Sequence, residues 1–278
     1  MKNFTYENSQ LSSSDIDELI QRFDKSNVVQ ALILMGSYAR NEAGPHSDID
    51  LVRFVIAGTK LSDDGTHLFK KKVLITICTV EPIDYEKWFT DPYEATKWIA
   101  GLRIARVLID RENFFTDRLQ RRAHDFVWDA TMQLHANIEA SRRMVGWCEE
   151  TNKGLEGLRR NYDIGRLLNA CHGLSWGLSE VIQIHRGILI SSDNNFFNEI
   201  ESVLDDNKRM IELRRITFGV IGSYTLRQRV IAGLHFFVLL AKQMSNVWQV
   251  TDVEIIEHTV QHINLNVPNL VSENILCE

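Results

Sequence analysis

Two apolar, strand-like runs near the N-terminus, and the residues that punctuate them, restrict the fold of this chain more than any other feature. Ala31-Leu-Ile-Leu-Met-Gly36-Ser37-Tyr-Ala-Arg40 puts a Gly-Ser turn at the end of the first run. Ser47-Asp48-Ile49-Asp50-Leu-Val-Arg-Phe-Val-Ile56 puts an Asp-x-Asp pair at the start of the second. Side chains alternate along a strand, so Asp48 and Asp50 share a face roughly 6–7 Å apart. That arrangement suits a hard divalent cation, Mg²⁺ first, which takes oxygen ligands and is usually held by one or two carboxylates plus substrate phosphates. The Gly36-Ser37 turn offers backbone N–H groups and a hydroxyl to those phosphates. The two halves read as one site for a metal and a nucleoside triphosphate.

The ordered set of apolar strand, Gly36-Ser37, a ten-residue loop, Asp48-Ile49-Asp50 and a second apolar strand resembles the polymerase-beta-like nucleotidyltransferase superfamily. The local wording, Gly-Ser-Tyr-Ala-Arg and then Gly44-Pro45-His46-Ser47-Asp48, is most similar to small antibiotic (kanamycin- and aminoglycoside-type) and minimal nucleotidyltransferases. A looser likeness to the kanamycin type continues through Leu108-Ile-Asp110-Arg-Glu-Asn-Phe114-Phe115. The resemblance implies an α/β (α+β) nucleotidyltransferase domain with a small mixed sheet, followed by an all-α helical bundle. It implies Asp48 and Asp50 as catalytic metal ligands and Gly36, Ser37, Arg40 and Ser47 around the nucleotide. The implied reaction moves a nucleoside monophosphate, AMP from ATP first, to a hydroxyl of a small acceptor such as an aminoglycoside-like antibiotic. Protein nucleotidylation of the minimal type and a catalytically silent nucleotide-binding protein are the alternatives.

One element of the superfamily pattern is missing. A third carboxylate, which completes the metal site or takes the proton from the attacking hydroxyl, is expected on a neighbouring strand, yet no acid lies between Lys70 and Val80; Leu74 or Thr76 falls where it should stand. In kanamycin-type relatives a catalytic glutamate sits on the first long helix of the C-terminal half, and Glu139 is the acid nearest that position. Asp129, Glu180 and Glu81 are rivals, and a partner subunit of a homodimer is another source.

The remaining sequence bounds the setting. At 278 residues the chain is long enough for two domains. Its longest apolar run, Val230 to Ala241, is short for a bilayer and carries His235, so no membrane span is expected. Met1 to Asn8 lacks a signal-peptide core, and a cytoplasmic protein is expected. Cys78, Cys148, Cys171 and Cys277 have no zinc or redox spacing and are expected reduced and mostly buried. The net charge of −6 argues against a nucleic-acid partner, because phosphate binding rests on Lys and Arg. Arg121-Arg122, Arg142-Arg143, Arg159-Arg160 and Arg214-Arg215 read as solvated helix faces. Glu254, His258 and His262, four apart, read as a polar helix face or a metal site, and the tryptophans, among them Trp88, Trp98, Trp128 and Trp147, as core.

Along the chain, an N-cap at Ser14-Asp15 and the stripe Ile16, Leu19, Ile20, Phe23 predict a first helix. Val28–Met35, Asp48–Ile56 and Lys72–Val80 predict three strands, with a turn at Ser62–Gly65 and a short helix around Asp84–Phe89. The period then changes to 3.6. Leu119, Ala123, Phe126, Val127, Ala130, Leu134 and Ile138 form one helical stripe. Ile164, Leu167, Leu168, Cys171, Leu174, Ser175, Leu178 and Val181 form another. A central apolar helix over 225–249 and a last one from Glu254 to Ile263 complete the bundle. The change of period divides the chain into 1–114 and 115–278.

Overall fold

The structure, a computed structural model, describes residues 10–25, 27–70, 72–160, 163–204 and 207–267. Cys277, Glu273, Glu278 and the Met1–Asn8 segment lie outside them. Two compact units are present: 1–128 with 189–194, and 129–188 with 195–278.

The first unit is built on a mixed five-stranded sheet of order β3-β4-β2-β1-β5, comprising β1 (Val29–Met35), β2 (Ile49–Val55), β3 (Gly65–Phe69), β4 (Val73–Val80) and β5 (Arg106–Asp110). β2 and β4 run parallel, and the other pairings are antiparallel. The central strands are continuous apolar runs because both sheet faces are covered. On one face, Leu32, Leu34, Ile49, Leu51, Ile75 and Ile77 pack with Leu19 and Phe23 of α1 (Ser13–Phe23) and with Tyr38 and Ala39 of α2 (Gly36–Ala39). On the other, Ala31, Ile33, Val52, Phe54 and Val80 pack with Trp88 and Phe89 of α3 (Pro82–Thr90), with Ala95, Ile99 and Leu102 of α4 (Pro92–Ile104), and with Phe114, Phe115, Leu119 and Ala123.

That last group explains why the change of period does not mark the unit boundary. Phe114–Gln120 is a π-helical stretch leading into α5 (Arg121–Asp125), and its aromatic side chains close the sheet core. The expected stripe from Leu119 to Ile138 breaks in two, since the chain leaves helical geometry at Phe126 and resumes only at Ala130, where Asp129 caps the new helix. Leu134 and Ile138 are exposed. The cap of α1 is Ser12, in a capping box with Asp15, two residues ahead of the expected Ser14-Asp15.

The second unit is all helical: α6 (Ala130–Arg159), α7 (Ile164–His172), a π-helical turn (Gly173–Gly177), α8 (Leu178–Arg186), α9 (Phe196–Ser202), α10 (Lys208–Phe218), α11 (Leu226–Gln243) and α12 (Val250–Asn266). α11 is its central element, with Val230, Ile231, Leu234, Phe236, Phe237 and Leu240 buried. Leu167, Cys171, Leu174, Leu178 and Val181 of the second stripe are buried, whereas Ile164 and Leu168 face solvent. The fold class expected from the sequence is the one observed. Among the described residues no helix is long and apolar enough to cross a membrane, and Cys78, Cys148 and Cys171 are free thiols.

Candidate functional site

The site forms where β1 ends and β2 begins. Met35 lies opposite Asp50 across the β1–β2 pair, so the turn that follows Met35 hangs directly over the Asp50 side chain. Gly36 adopts φ +63°, a left-handed conformation that costs an L-residue with a Cβ about 1–2 kcal/mol. Space is the stronger restriction. A Cβ on Gly36 would stand 2.0 Å from Asp50 Oδ2, so glycine is required because the carboxylate occupies that volume. Sequence reasoning assigned Gly36 to close approach of a phosphate; the first group it admits is Asp50.

Asp50 is half-buried, while Asp48, at the end of the preceding loop, is exposed. Burial first, and then the negative charge of Asp48, push the Asp50 carboxyl up to about 6, against an opposing pull from Arg40. Two carboxylates held this way lack a counter-charge that the protein itself supplies only in part, which is the electrostatic condition of a cation site. No group of three His, Cys, Asp or Glu side chains able to hold a metal occurs among the described residues. The pair thus fits a cation that takes its remaining ligands from substrate phosphates.

Ser37 follows in α2, half-buried, its carbonyl accepting the Glu42 N–H at 2.9 Å. Arg40 caps α2, and its Nε donates to Glu42 Oε2 at 2.6 Å while its Nη1 approaches the Ser191 carbonyl at 3.5 Å. Ser47 accepts the Gly44 N–H at 2.9 Å, so its hydroxyl closes the loop between the two halves of the motif. Gly36, Ser37, Arg40, Ser47, Asp48 and Asp50 are thus gathered within the first unit.

Thr76 is the residue of β4 in register with Asp50, and Thr66 of β3 is in register with Thr76. The row Asp50, Thr76, Thr66 places the expected third carboxylate at Thr76, which is exposed and not acidic. The acids suggested in its stead are all engaged elsewhere. Glu81 accepts the Gly58 N–H at 2.8 Å, and Asp129 accepts the Met132 N–H at 2.8 Å as the N-cap of α6. Glu139, in the second unit, is bound by Arg142 and Arg143 at 2.8 and 2.7 Å, and Arg143 continues to Glu180 at 3.0 Å. Burial raises the Glu139 carboxyl, but the two guanidinium groups outweigh it and hold it below its ordinary value, which makes it a poor proton acceptor. Arg121, Arg122, Arg142, Arg143, Arg159, Arg160 and Arg215 are likewise paired with neighbouring acids, Asp117, Glu86, Glu139, Glu156 and Glu201, whereas Arg214, expected on a solvated helix face, is fully buried.

Sequence reasoning missed the return of the chain to this region at Leu189–Asn194. No periodic pattern marks the segment, and its place is set by tertiary contacts alone. Leu189 packs on the core of the first unit, and the Ile190 N–H donates to the Thr96 carbonyl of α4 at 2.9 Å. Asp193 adds its charge to the raised proton affinity of Asp50.

Comparison with known proteins assigns the domain. A comparison with curated proteins finds no match. A crystal structure of a nucleotidyltransferase-like protein from Exiguobacterium sibiricum 255-15 is similar at 12% identity with a TM-score of 0.48, over 93% of this chain and 89% of that one. Residues 14–104 match the family model of the nucleotidyltransferase domain, a span that contains the whole motif from Gly36 to Asp50. That span includes the Gly-Ser turn and the Asp-x-Asp pair, so the chain carries a nucleotidyltransferase domain over residues 14–104.

Proposed function

We propose that the protein transfers AMP from ATP to a hydroxyl group of a small molecule in a Mg²⁺-dependent reaction, with a cationic, aminoglycoside-like compound as the first acceptor class. The observation that carries this reading is the pairing of Asp48 with the half-buried Asp50 under Gly36: two carboxylates in need of a cation, beside a turn that lacks a Cβ. In the reaction the acceptor oxygen forms a bond to the α-phosphorus, the bond from that phosphorus to the bridging oxygen breaks, pyrophosphate leaves and the hydroxyl gives up its proton. Asp48 and Asp50 would hold the Mg²⁺, which when bound neutralises charge on the α-phosphate and pyrophosphate. Gly36 and Ser37 border the triphosphate, and Arg40, mostly enclosed with its guanidinium near Asp50, meets its outer phosphates.

The test is release of pyrophosphate and formation of an adenylylated product, followed by mass spectrometry, with MgATP and a panel of aminoglycosides, lincosamides and hydroxyl-bearing proteins. Activity is expected with a small acceptor, abolished by EDTA and by Asp48→Asn or Asp50→Asn. MgATP binding without pyrophosphate release from any acceptor would overturn the reading, and transfer to proteins alone would replace the acceptor class.

A further inference from the structure

We infer that Glu42 is a positioning residue of the nucleotide site: it fixes the Arg40 guanidinium for the outer phosphates and so sets a preference for a triphosphate over a monophosphate. The inference rests on the reading above, in which Arg40 meets those phosphates. Arg40 stands one turn of helix beyond Gly36, the residue whose Cβ position is filled by the Asp50 carboxylate. About 6 Å of helix rise therefore separates it from the turn over the metal-binding pair.

The way α2 ends is what brings Glu42 back to Arg40. Arg40 is the last residue with helical backbone angles, and Asn41 follows at φ +60°, the left-handed conformation in which helices stop at glycine or asparagine. The Glu42 N–H donates to the Ser37 carbonyl at 2.9 Å and the Asn41 N–H to the Tyr38 carbonyl at 3.4 Å, which are the two backbone bonds of such a left-handed cap. With its main chain held there, Glu42 accepts from Arg40 Nε through Oε2 at 2.6 Å. One residue thus ties two members of the proposed phosphate-binding set, Ser37 through the main chain and Arg40 through the side chain.

The geometry of the pair decides which atoms are left for a ligand. Glu42 engages Nε, and Nη1 reaches the Ser191 carbonyl at 3.5 Å, the outer limit of a hydrogen bond. A guanidinium carries five N–H donors in one rigid plane, so a bond at Nε sets the plane while the Nη protons remain for phosphate oxygens. The Arg40 side chain is 15% exposed and that of Glu42 62%. The carboxylate therefore braces the guanidinium from the solvent side. An ion pair with one solvated partner adds little to folding stability, and its effect falls on binding: without Glu42 the long Arg40 side chain has to be ordered when the triphosphate arrives.

Calorimetry on the full chain with MgATP, and with AMP by competition, tests this without turnover. Glu42→Ala is expected to weaken MgATP binding about three- to tenfold, to leave AMP affinity within about twofold, and to leave the melting temperature nearly unchanged. Glu42→Gln, which keeps an acceptor for Nε, should retain most of the affinity. Arg40→Ala should lose the same preference, and adding Glu42→Ala to it should cost nothing further, because the two act as one unit. Equal losses for MgATP and AMP in Glu42→Ala, which a merely structural cap would give, would overturn the proposal. MgATP binding in Glu42→Ala as tight as wild type or tighter, or additive losses in the double variant, would do the same, as would a wild-type chain that binds MgATP no better than AMP. If Glu42→Ala loses the triphosphate preference but the wild type transfers nothing to any acceptor, the transfer reading fails while the role of Glu42 stands. If the wild type transfers AMP and Glu42→Ala still discriminates ATP from AMP as wild type does, the reverse holds.

Discussion

At the scale of the residue, the Gly36–Asp50 contact carries two predictions. Gly36→Ala puts a Cβ into the space of Asp50 Oδ2 and a side chain at a left-handed φ. The backbone alone loses about 1–2 kcal/mol, and the Asp50 carboxylate must also shift out of its place. Calorimetry with MgATP should show at least a tenfold weaker site, together with a lower melting temperature. Asp50→Asn should act on stability in the opposite direction. The folded state holds the Asp50 proton up to a pH of about 6, against an ordinary carboxyl near 3.8. Between those values the native protein binds more protons than the unfolded chain, so stability falls as pH rises through the window and stays lower above it. An asparagine cannot ionise and removes that loss. Metal-free Asp50→Asn should therefore melt higher than wild type at pH 8, with the gain fading toward pH 4, and should show no stabilisation by MgATP. An Asp50→Asn protein that melts lower than wild type at pH 8 without metal would contradict the burial and charge argument.

At the scale of the element, what could be read in the sequence depended on whether local pattern or tertiary contact decided the outcome. β1, β2 and β4 were legible to within a residue or two because runs rich in Val, Ile and Leu ending at Gly or Asp have few other solutions in a fold with both sheet faces covered. β3 was not: Gly65–Phe69 is short and its Thr66 and Leu68 face outward, so it shows no apolar run. The paired carboxylates and the glycine turn were legible through spacing, whereas the return of Leu189–Asn194 to the first unit was not, since no local pattern encodes it. The π-helical turn Gly173–Gly177 belongs to the same unread class. A Cβ on Gly177 would stand 2.2 Å from the Trp147 ring and one on Gly173 2.7 Å from Glu150 Cγ, so these glycines let α6 and the turn approach closely. Gly177→Ala should destabilise the second unit by about 1–3 kcal/mol through overpacking, readable as a lower denaturation midpoint with MgATP affinity unchanged, because the site lies in the first unit. A weakened nucleotide site in Gly177→Ala would count against that separation.

At the scale of the molecule, two units with separate cores need not melt as one, and their responses to acid have opposite signs. In the first, protonation of Asp50 relieves a buried charge. In the second, His185 is half-buried, its Nδ1 lies 3.1 Å from Asn137 Oδ1, and Gln133 bonds both Asn137 and the His185 carbonyl. Burial, and secondly the neighbouring charge of Arg186, push the imidazole down to about 4 from an ordinary 6.5. Between those values the unfolded chain binds the proton and the folded unit does not. The stability of the second unit therefore rises with pH across the window and is lost as pH falls from about 6.5 toward 4. Glutamine at this position keeps a polar head within reach of Asn137 and does not titrate there. Thermal melts from pH 4 to 8 should show His185→Gln losing less of its second-unit stability in acid than wild type does, with the two proteins converging in relative terms above pH 7. Tryptophan fluorescence locates the transition, since Trp147 and Trp176 belong to the second unit and Trp88 and Trp98 to the first. Parallel acid profiles for wild type and His185→Gln would show that the imidazole is already charged in the folded unit. That outcome would mean that the cluster of His185, Asn137 and Gln133 is more open to water than its burial implies.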